Sequence, residues 1–336
     1  MNETLLKICA FATSVIIACL IAPKLIPFLR KLKFGQEIIT DYGPTWHKSK
    51  QGTPTMGGII FIVAVVVSYL IFGFRFYKAG GGTSAWFPSQ GLICVGVSVM
   101  FALLGFVDDY IKIARKHNQG LTEIQKLIVQ LVISGAFILY DSIRTGGRTT
   151  VNIPFFNVDL ELGVFYYVLA MVVMVGFTNA VNLTDGIDGL AASVTLPVSI
   201  FYVFICTYFG NEEVSVLAAA LAGGCVGFLV FNWHPAKVFM GDTGSLFLGG
   251  MVSCMAFTVD RPLIILIAGI VFLCEAFSVM IQVAYFKITH GKRLFKMTPI
   301  HHSFELSGWK EEKIVLTFTA ASVAGCLVAA AASLIG

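Results

Sequence analysis

Ten long apolar runs separated by short polar stretches organise this chain, at roughly 5–29, 54–74, 90–107, 125–142, 163–181, 190–209, 213–231, 245–259, 263–286 and 313–334. One helical crossing of a bilayer needs about 20 apolar residues. The pattern therefore predicts an all-α polytopic membrane protein with about ten transmembrane helices. The eighth run is short, so its polar flanks are expected to dip into the headgroup region. The first run is too long for the apolar core of a signal peptide and lacks a small-residue cleavage pattern, so it reads as a retained span. Neither an internal repeat nor a low-complexity linker breaks the series, and a single domain over 1–336 is expected. Between the fourth and fifth runs, Thr149 to Leu162 alternate apolar and polar around Pro154 and Asn157, the period of a small β-hairpin.

Composition strengthens this reading. Apolar residues make up 57% of the 336 and charged residues 12%, where a soluble domain carries roughly 45–50% and about 25%. The mean hydropathy is +0.84. Lys and Arg concentrate in the cytoplasmic loops of membrane proteins. If odd-numbered spans leave their C-terminal ends inside, sixteen Lys and Arg fall inside and six outside. Both termini and the hairpin are thus expected on the extracytoplasmic side, and all six histidines on the cytoplasmic side. The net charge of +4 needs no nucleic-acid partner, because topology already accounts for the basic loops. All eight cysteines lie in apolar runs without a Cys-x-x-Cys pair, so they read as ordinary span residues rather than disulfides or zinc ligands. Gly80-Gly81-Gly82-Thr83 reads as a flexible turn.

The candidate chemistry lies in polar islands on the inside face. Asn182-Leu183-Thr184-Asp185-Gly186-Ile187-Asp188-Gly189-Leu190 separates the fifth and sixth runs. Ionisable groups near bilayer depth are costly and usually mark a site. Asn182, Asp185 and Asp188 are spaced by three, so a helical turn projects them from one side. Capping of the sixth span by Thr184 or Asp185 explains one polar residue, not four. The third run ends in Asp108-Asp109. Adjacent carboxylates at a helix C-terminus repel one another and oppose the macrodipole. A hard cation such as Mg²⁺ relieves both problems, and a solvated loop start is the plainer alternative. Lys112 and Lys126 can face anionic groups, whereas Arg115 and Lys116 suit headgroups.

Three further stretches join these. Gly241-Asp242-Thr243-Gly244-Ser245 has the composition of a metal or phosphate turn at a helix start. Residues Lys48 to Gly58, basic and glycine-rich with Thr53 and Thr55, either cradle phosphate ahead of a helix or anchor and cap it. Pro299-Ile300-His301-His302-Ser303-Phe304-Glu305 pairs histidines that can take zinc, but the surrounding oxygen-rich, thiol-free face suits Mg²⁺ better. Glu275 and Gln282 share a face of the ninth run, and Glu275 is deep enough that it is protonated, paired or functional. A phosphate held by Mg²⁺ and attacked by a second phosphate at the lipid surface would use all of these groups.

At these residues the sequence closely resembles the polyprenyl-phosphate N-acetylhexosamine-1-phosphate transferase superfamily, and within it the phospho-N-acetylmuramoyl-pentapeptide-transferase branch. Gly52-Thr53-Pro54-Thr55-Met56-Gly57-Gly58, Asp108-Asp109, Asn182 to Leu190, Gly241 to Leu246 and Pro299-Ile300-His301-His302 occur in the family's order and span essentially the whole chain. The resemblance implies transfer of phospho-MurNAc-pentapeptide from UDP-MurNAc-pentapeptide to undecaprenyl phosphate. The products would be lipid I and UMP, made with Mg²⁺ at the cytoplasmic side of a bacterial cell membrane by a homodimer. It implies Asp242 as the metal ligand, joined by Asp185, and Asp108 and Asp109 as the catalytic pair, with Asp108 the candidate for activating the lipid phosphate. Asn182, Asp185 and Asp188 would line the nucleotide side, Phe239 would stack on uracil, and Lys50, Thr55 and Gln282 would complete that pocket. Lys112 and Lys126 would hold phosphates. His301 and His302 would contact the sugar nucleotide, His301 as a member of the catalytic group. Ser303 departs from the family, which often has a third histidine there. Direct attack and a two-step route through an aspartyl-phosphate use the same residues. A UDP-N-acetylglucosamine-using relative is the alternative within the class, and an ion-coupled transporter the alternative outside it.

Overall fold

The computed structural model describes residues 2–32, 50, 52–73, 89–115, 119–156 and 158–335. Lys33, Lys48, Arg75, Lys78, Lys116, the glycine turn at 80–83 and Asn157 lie outside the described residues. The apolar runs fold as α1 (Glu3–Lys31), α2 (Gly58–Phe72), α3 (Gln90–Ala114), α4 (Glu123–Arg144), α5 (Phe165–Thr184), α6 (Leu190–Tyr208), α7 (Glu212–Asn232), α8 (Gly241–Thr258), α9 (Ile264–Ala268), α10 (Ile270–Ile288) and α12 (Glu311–Leu334), with the short α11 (Ile300–Glu305) before the last. Among the described residues, eight helices (α1, α3, α4, α5, α6, α7, α10 and α12) are long and apolar enough to cross a membrane.

Local signals set the helix starts. Ser89 caps α3, Thr122 and Gln125 form a capping box on α4, and Asn211 caps α7 ahead of Glu212 and Glu213. Each cap accepts from backbone N–H groups that the first helical turn cannot satisfy. Hydroxyls inside the spans turn back onto their own helices, as in Ser98 to Cys94 O, Thr178 to Met174 O and Thr195 to Ala191 O. That keeps polar atoms satisfied where no water is available.

Two expectations are corrected. The third apolar run does not end its helix: α3 continues to Ala114, so Asp108 and Asp109 lie inside the helix and not at its C-terminus. The ninth run is broken at Gly269 into α9 and α10. The short eighth run forms α8, which other helices surround. Every residue of α8 from Thr243 to Thr258 is buried, because α3, α5 and α2 pack around it. A helix surrounded by protein tolerates the glycines and hydroxyls that shorten its apolar run. Gly105 of α3 makes this packing close, since a Cβ there would stand 2.1 Å from the Asp242 carbonyl oxygen.

The expected hairpin is present. β1 (Thr150–Ile153) and β2 (Val158–Glu161) pair antiparallel with Val151 opposite Leu160. At the same end, Asp141, Arg144, Asp260 and Arg148 form a chain of ion pairs, and Arg261 donates to Asn152. All eight cysteines are free.

Candidate active site

Asp108, Asp109 and Asp242 bring carboxylate oxygens within 4.8 Å of one another, although 133 residues of chain separate Asp109 from Asp242. Two ammonium groups hold the cluster together. Lys112 Nζ lies 2.5 Å from Asp108 Oδ2 and 3.2 Å from Asp242 Oδ2. Lys126 Nζ lies 3.1 Å and 3.0 Å from the same two oxygens. Lys112 sits one turn after Asp108 on α3, so helical spacing supplies that pair. Lys126 comes from the first turn of α4 and needs the tertiary fold. Three carboxylates against two ammonium groups leave one net negative charge.

The three aspartates have different partners. Asp109 accepts from the backbone N–H groups of Asp242 and Thr243 at 3.2 and 2.9 Å, and from Thr243 Oγ1 at 2.7 Å. These N–H groups belong to the first turn of α8, whose own N-cap residue supplies no side-chain bond. Asp109 is therefore a cap delivered from another helix, and its charge complements the positive end of the α8 dipole. Asp108 Oδ1 accepts from Leu121 N at 2.7 Å, which leaves Oδ2 to the lysines. Asp242 Oδ1 accepts from Asn182 Nδ2 at 3.0 Å, and that amide also donates to Ser245 Oγ at 2.8 Å. A reciprocal amide pair, Gln130 with Asn179, joins α4 to α5 one turn beyond Lys126 and Asn182.

The island points two ways, which corrects the expectation that Asn182, Asp185 and Asp188 share one side. Asn182 meets Asp242, while Asp188 faces a second group. There Lys50 Nζ lies 2.8 Å from Asp188 and 2.6 Å from Glu311, and Asp188 Oδ2 lies 3.0 Å from His234 Nδ1 and accepts from Ala236 N at 2.9 Å. Asp188, His234 and Glu311 form a second set of possible metal ligands. Asp185 belongs to neither carboxylate group. Burial first, then the charges of Asp242, Asp109 and Asp188, hold its carboxyl well above the usual carboxylate range. Neither Thr184 nor Asp185 caps α6. Its N-cap is Gly189 at φ +78°, and the Gly189 N–H donates to Asn232 Oδ1.

Thr55 and Phe239 are brought together by backbone pairing. Phe239 N donates to Pro54 O, and Gly57 N and Gly58 N donate to Phe239 O and Met240 O. Thr55 Oγ1 and Asp109 Oδ2 both border Gly241. Gln282 Oε1 accepts from Leu294 N and Phe295 N at 3.0 and 2.8 Å, which holds the loop after α10. His301 Nδ1 meets Glu275 Oε2, and His302 Nδ1 meets Glu305 Oε2 at 2.6 Å. Glu275 is thus paired. Glu311 and His234 are the residues that sequence reasoning missed. Glu311 lies just before the last apolar run, and no local spacing ties it to Lys50.

Residues 50–62 match phospho-N-acetylmuramoyl-pentapeptide-transferase signature 1, and residues 92–260 match Glycosyl transferase family 4. The Phospho-N-acetylmuramoyl-pentapeptide-transferase of Listeria monocytogenes serotype 4b (strain CLIP80459) is 45% identical over 318 residues, 95% of each chain. This chain belongs to the phospho-N-acetylmuramoyl-pentapeptide-transferase family. The proteins of that name from Heliobacterium modesticaldum (strain ATCC 51547 / Ice1), 46% identical over 94% of each chain, and Clostridium perfringens (strain SM101 / Type A), 46% identical over 95% of this chain and 94% of its own, agree. The family signature holds Lys50 and Thr55, and the longer match holds both ends of the Asp108–Asp242 cluster.

Ser303, where the family often has a third histidine, faces the preceding loop. Its Oγ donates to Met297 O at 2.5 Å and accepts from Met297 N at 3.1 Å. Ser303→His is expected to lose both bonds, lowering stability by about 1–2 kcal/mol while turnover survives. Thermal unfolding and activity measured on one detergent preparation check this. A fully stable but inactive variant would show that the position reaches substrate.

Proposed function

We infer that the chain transfers phospho-MurNAc-pentapeptide from UDP-MurNAc-pentapeptide to undecaprenyl phosphate, forming lipid I and UMP. An oxygen of the lipid phosphate bonds to the sugar-bearing phosphorus as the P–O bond to UMP breaks. The carrying observation is the Asp108–Asp109–Asp242 cluster bridged by Lys112 and Lys126, in a chain of this family. Asp108, with Oδ2 directed toward the lysines, is the group to activate or orient the attacking phosphate. Asp109 holds α8, and through it Asp242, in place. Lys112 and Lys126, already poised between two carboxylates, take up the phosphate charges of the donor. Asn182 fixes the Asp242 carboxylate. Asp188, Lys50, Thr55, Phe239 and Asp185 form the nucleotide side, with His301 and His302 toward the sugar nucleotide.

The cluster fits Mg²⁺. Its donors are hard carboxylate oxygens close enough to share one ion, and the two ammonium groups beside them mark a place that stabilises positive charge. Asp242 would hold the ion with Asp108, and Asp185 lies near enough to be biased by the same charges. Bound there, a divalent cation neutralises phosphate oxygens and polarises phosphorus.

The described helix ends support the assignment of sides. The cluster, the island and α11 gather at one end, and the hairpin at the other. With the Lys and Arg asymmetry, this supports a reading in which the active site faces the cytoplasmic side of a cell membrane and both termini face outward, with a single integral-membrane domain of ten spans that include α2 and α8. A homodimer is the assembly the resemblance implies.

Purified chain offered undecaprenyl phosphate with UDP-MurNAc-pentapeptide or UDP-N-acetylglucosamine, and scored for UMP release, should turn over the first. Preferential use of the second would replace this reading with the related N-acetylglucosamine transferase.

A further inference from the structure

Glu275 and His301 form a buried pair that the reaction as described leaves without a role for the glutamate. Both side chains are 0% exposed, and Glu275 Oε2 lies 3.0 Å from His301 Nδ1. A carboxylate removed from water is costly unless paired. This imidazole is the one hydrogen-bond partner of the Glu275 carboxylate among the described residues, since Oε1 has none. The far ring nitrogen, Nε2, is also buried and without a partner among them. It is aimed at the polar island. A Cβ added to Gly186 would stand 2.2 Å from Nε2 and 2.6 Å from Cε1, so the ring occupies the space that a side chain at 186 would fill. The His302 ring packs beside it, with centroids 4.1 Å apart.

In a neutral imidazole, the nitrogen that donates decides which one accepts. We propose that Glu275 is a positioning residue: its carboxylate takes the Nδ1 hydrogen bond of His301, fixes the ring's plane and tautomer, and presents Nε2 at Gly186 as an acceptor for an N–H or O–H of the sugar nucleotide. The nature of that ligand rests on the transferase reading above. Gly186 makes the room and Glu275 aims the ring. Without the carboxylate, Nδ1 has no acceptor in an apolar span, and the proton divides between the two nitrogens.

The test combines turnover with nitrogen spectra of the full chain labelled with ¹⁵N-histidine, the His301 signals being those lost in His301→Gln. Ligand-free wild type should carry the His301 proton on Nδ1. Glu275→Leu should redistribute it and lower kcat by about 10- to 100-fold. Glu275→Gln, whose amide oxygen still accepts from Nδ1, should restore most of both. Adding Gly186→Ala to Glu275→Leu should cost little more, because both act on one ring, whereas independent structural defects would multiply. A wild-type proton on Nε2, or unchanged spectra and kcat in Glu275→Leu, overturns the proposal. If Glu275→Leu does not fold, the wild-type tautomer and the Glu275→Gln spectrum decide it. Wild type that fails to use UDP-MurNAc-pentapeptide would instead fault the transferase reading, with the tautomer still readable.

Discussion

Asp242→Asn is expected to lower UMP release by at least about 10²–10³-fold, the loss typical when one preorganised charge-stabilising group is removed. Asp242 is where the site's contacts converge: Asn182 donates to Oδ1, and Lys112 and Lys126 both reach Oδ2. An amide of the same shape keeps an acceptor for Asn182 but turns an N–H₂ toward the two ammonium groups and removes the charge that a divalent cation requires. The fold should survive, because Asp108 still pairs with both lysines and Asp109 still holds the first turn of α8. The measurement is initial rate against Mg²⁺ concentration, with thermal unfolding alongside. A near-normal rate at ordinary Mg²⁺ would remove Asp242 from the centre of the site.

The second large effect separates two neighbours. Asp108→Asn should cut turnover by about 10²–10⁴-fold, the range for loss of a positioned base, with little change in unfolding temperature. Its amide oxygen can keep the Leu121 N–H bond while the ionised oxygen facing the lysines is lost. Asp109→Asn should behave differently. Asp109 spends both oxygens on α8, so the amide gives up the favourable charge at a helix N-terminus and one of its acceptors. Stability should fall by about 1–2 kcal/mol, and activity should fall with it. If instead Asp109→Asn is fully stable and inactive while Asp108→Asn is active, the two roles are exchanged.

Glu275 illustrates how far local reading reaches. Its depth within an apolar run marked it as protonated, paired or functional, and that choice was not decidable from spacing. The partner, His301, lies 26 positions away in a different helix, and the space for its ring is set by a missing side chain at Gly186 on a third segment. The same holds for Lys50. It read as a basic residue before a helix, yet its ammonium group joins Asp188 of the island to Glu311 at the start of α12, a separation no sequence window spans.

Membrane class, the succession of apolar helices, the small hairpin and the inventory of reactive groups were all legible in the order of residues. Each depends on a one-dimensional quantity: the length of an apolar run, an alternation of period two, or a cluster of polar residues where they are expensive. The division of labour among Asp108, Asp109 and Asp242 was decided by packing. α8 is enclosed by α2, α3 and α5, and that enclosure carries its unsatisfied N–H groups to Asp109 and its carboxylate to the lysines. Charges and hydrogen bonds act over a few ångströms, so which groups pair depends on which helix ends meet. That is a property of the assembled bundle rather than of any stretch of the chain.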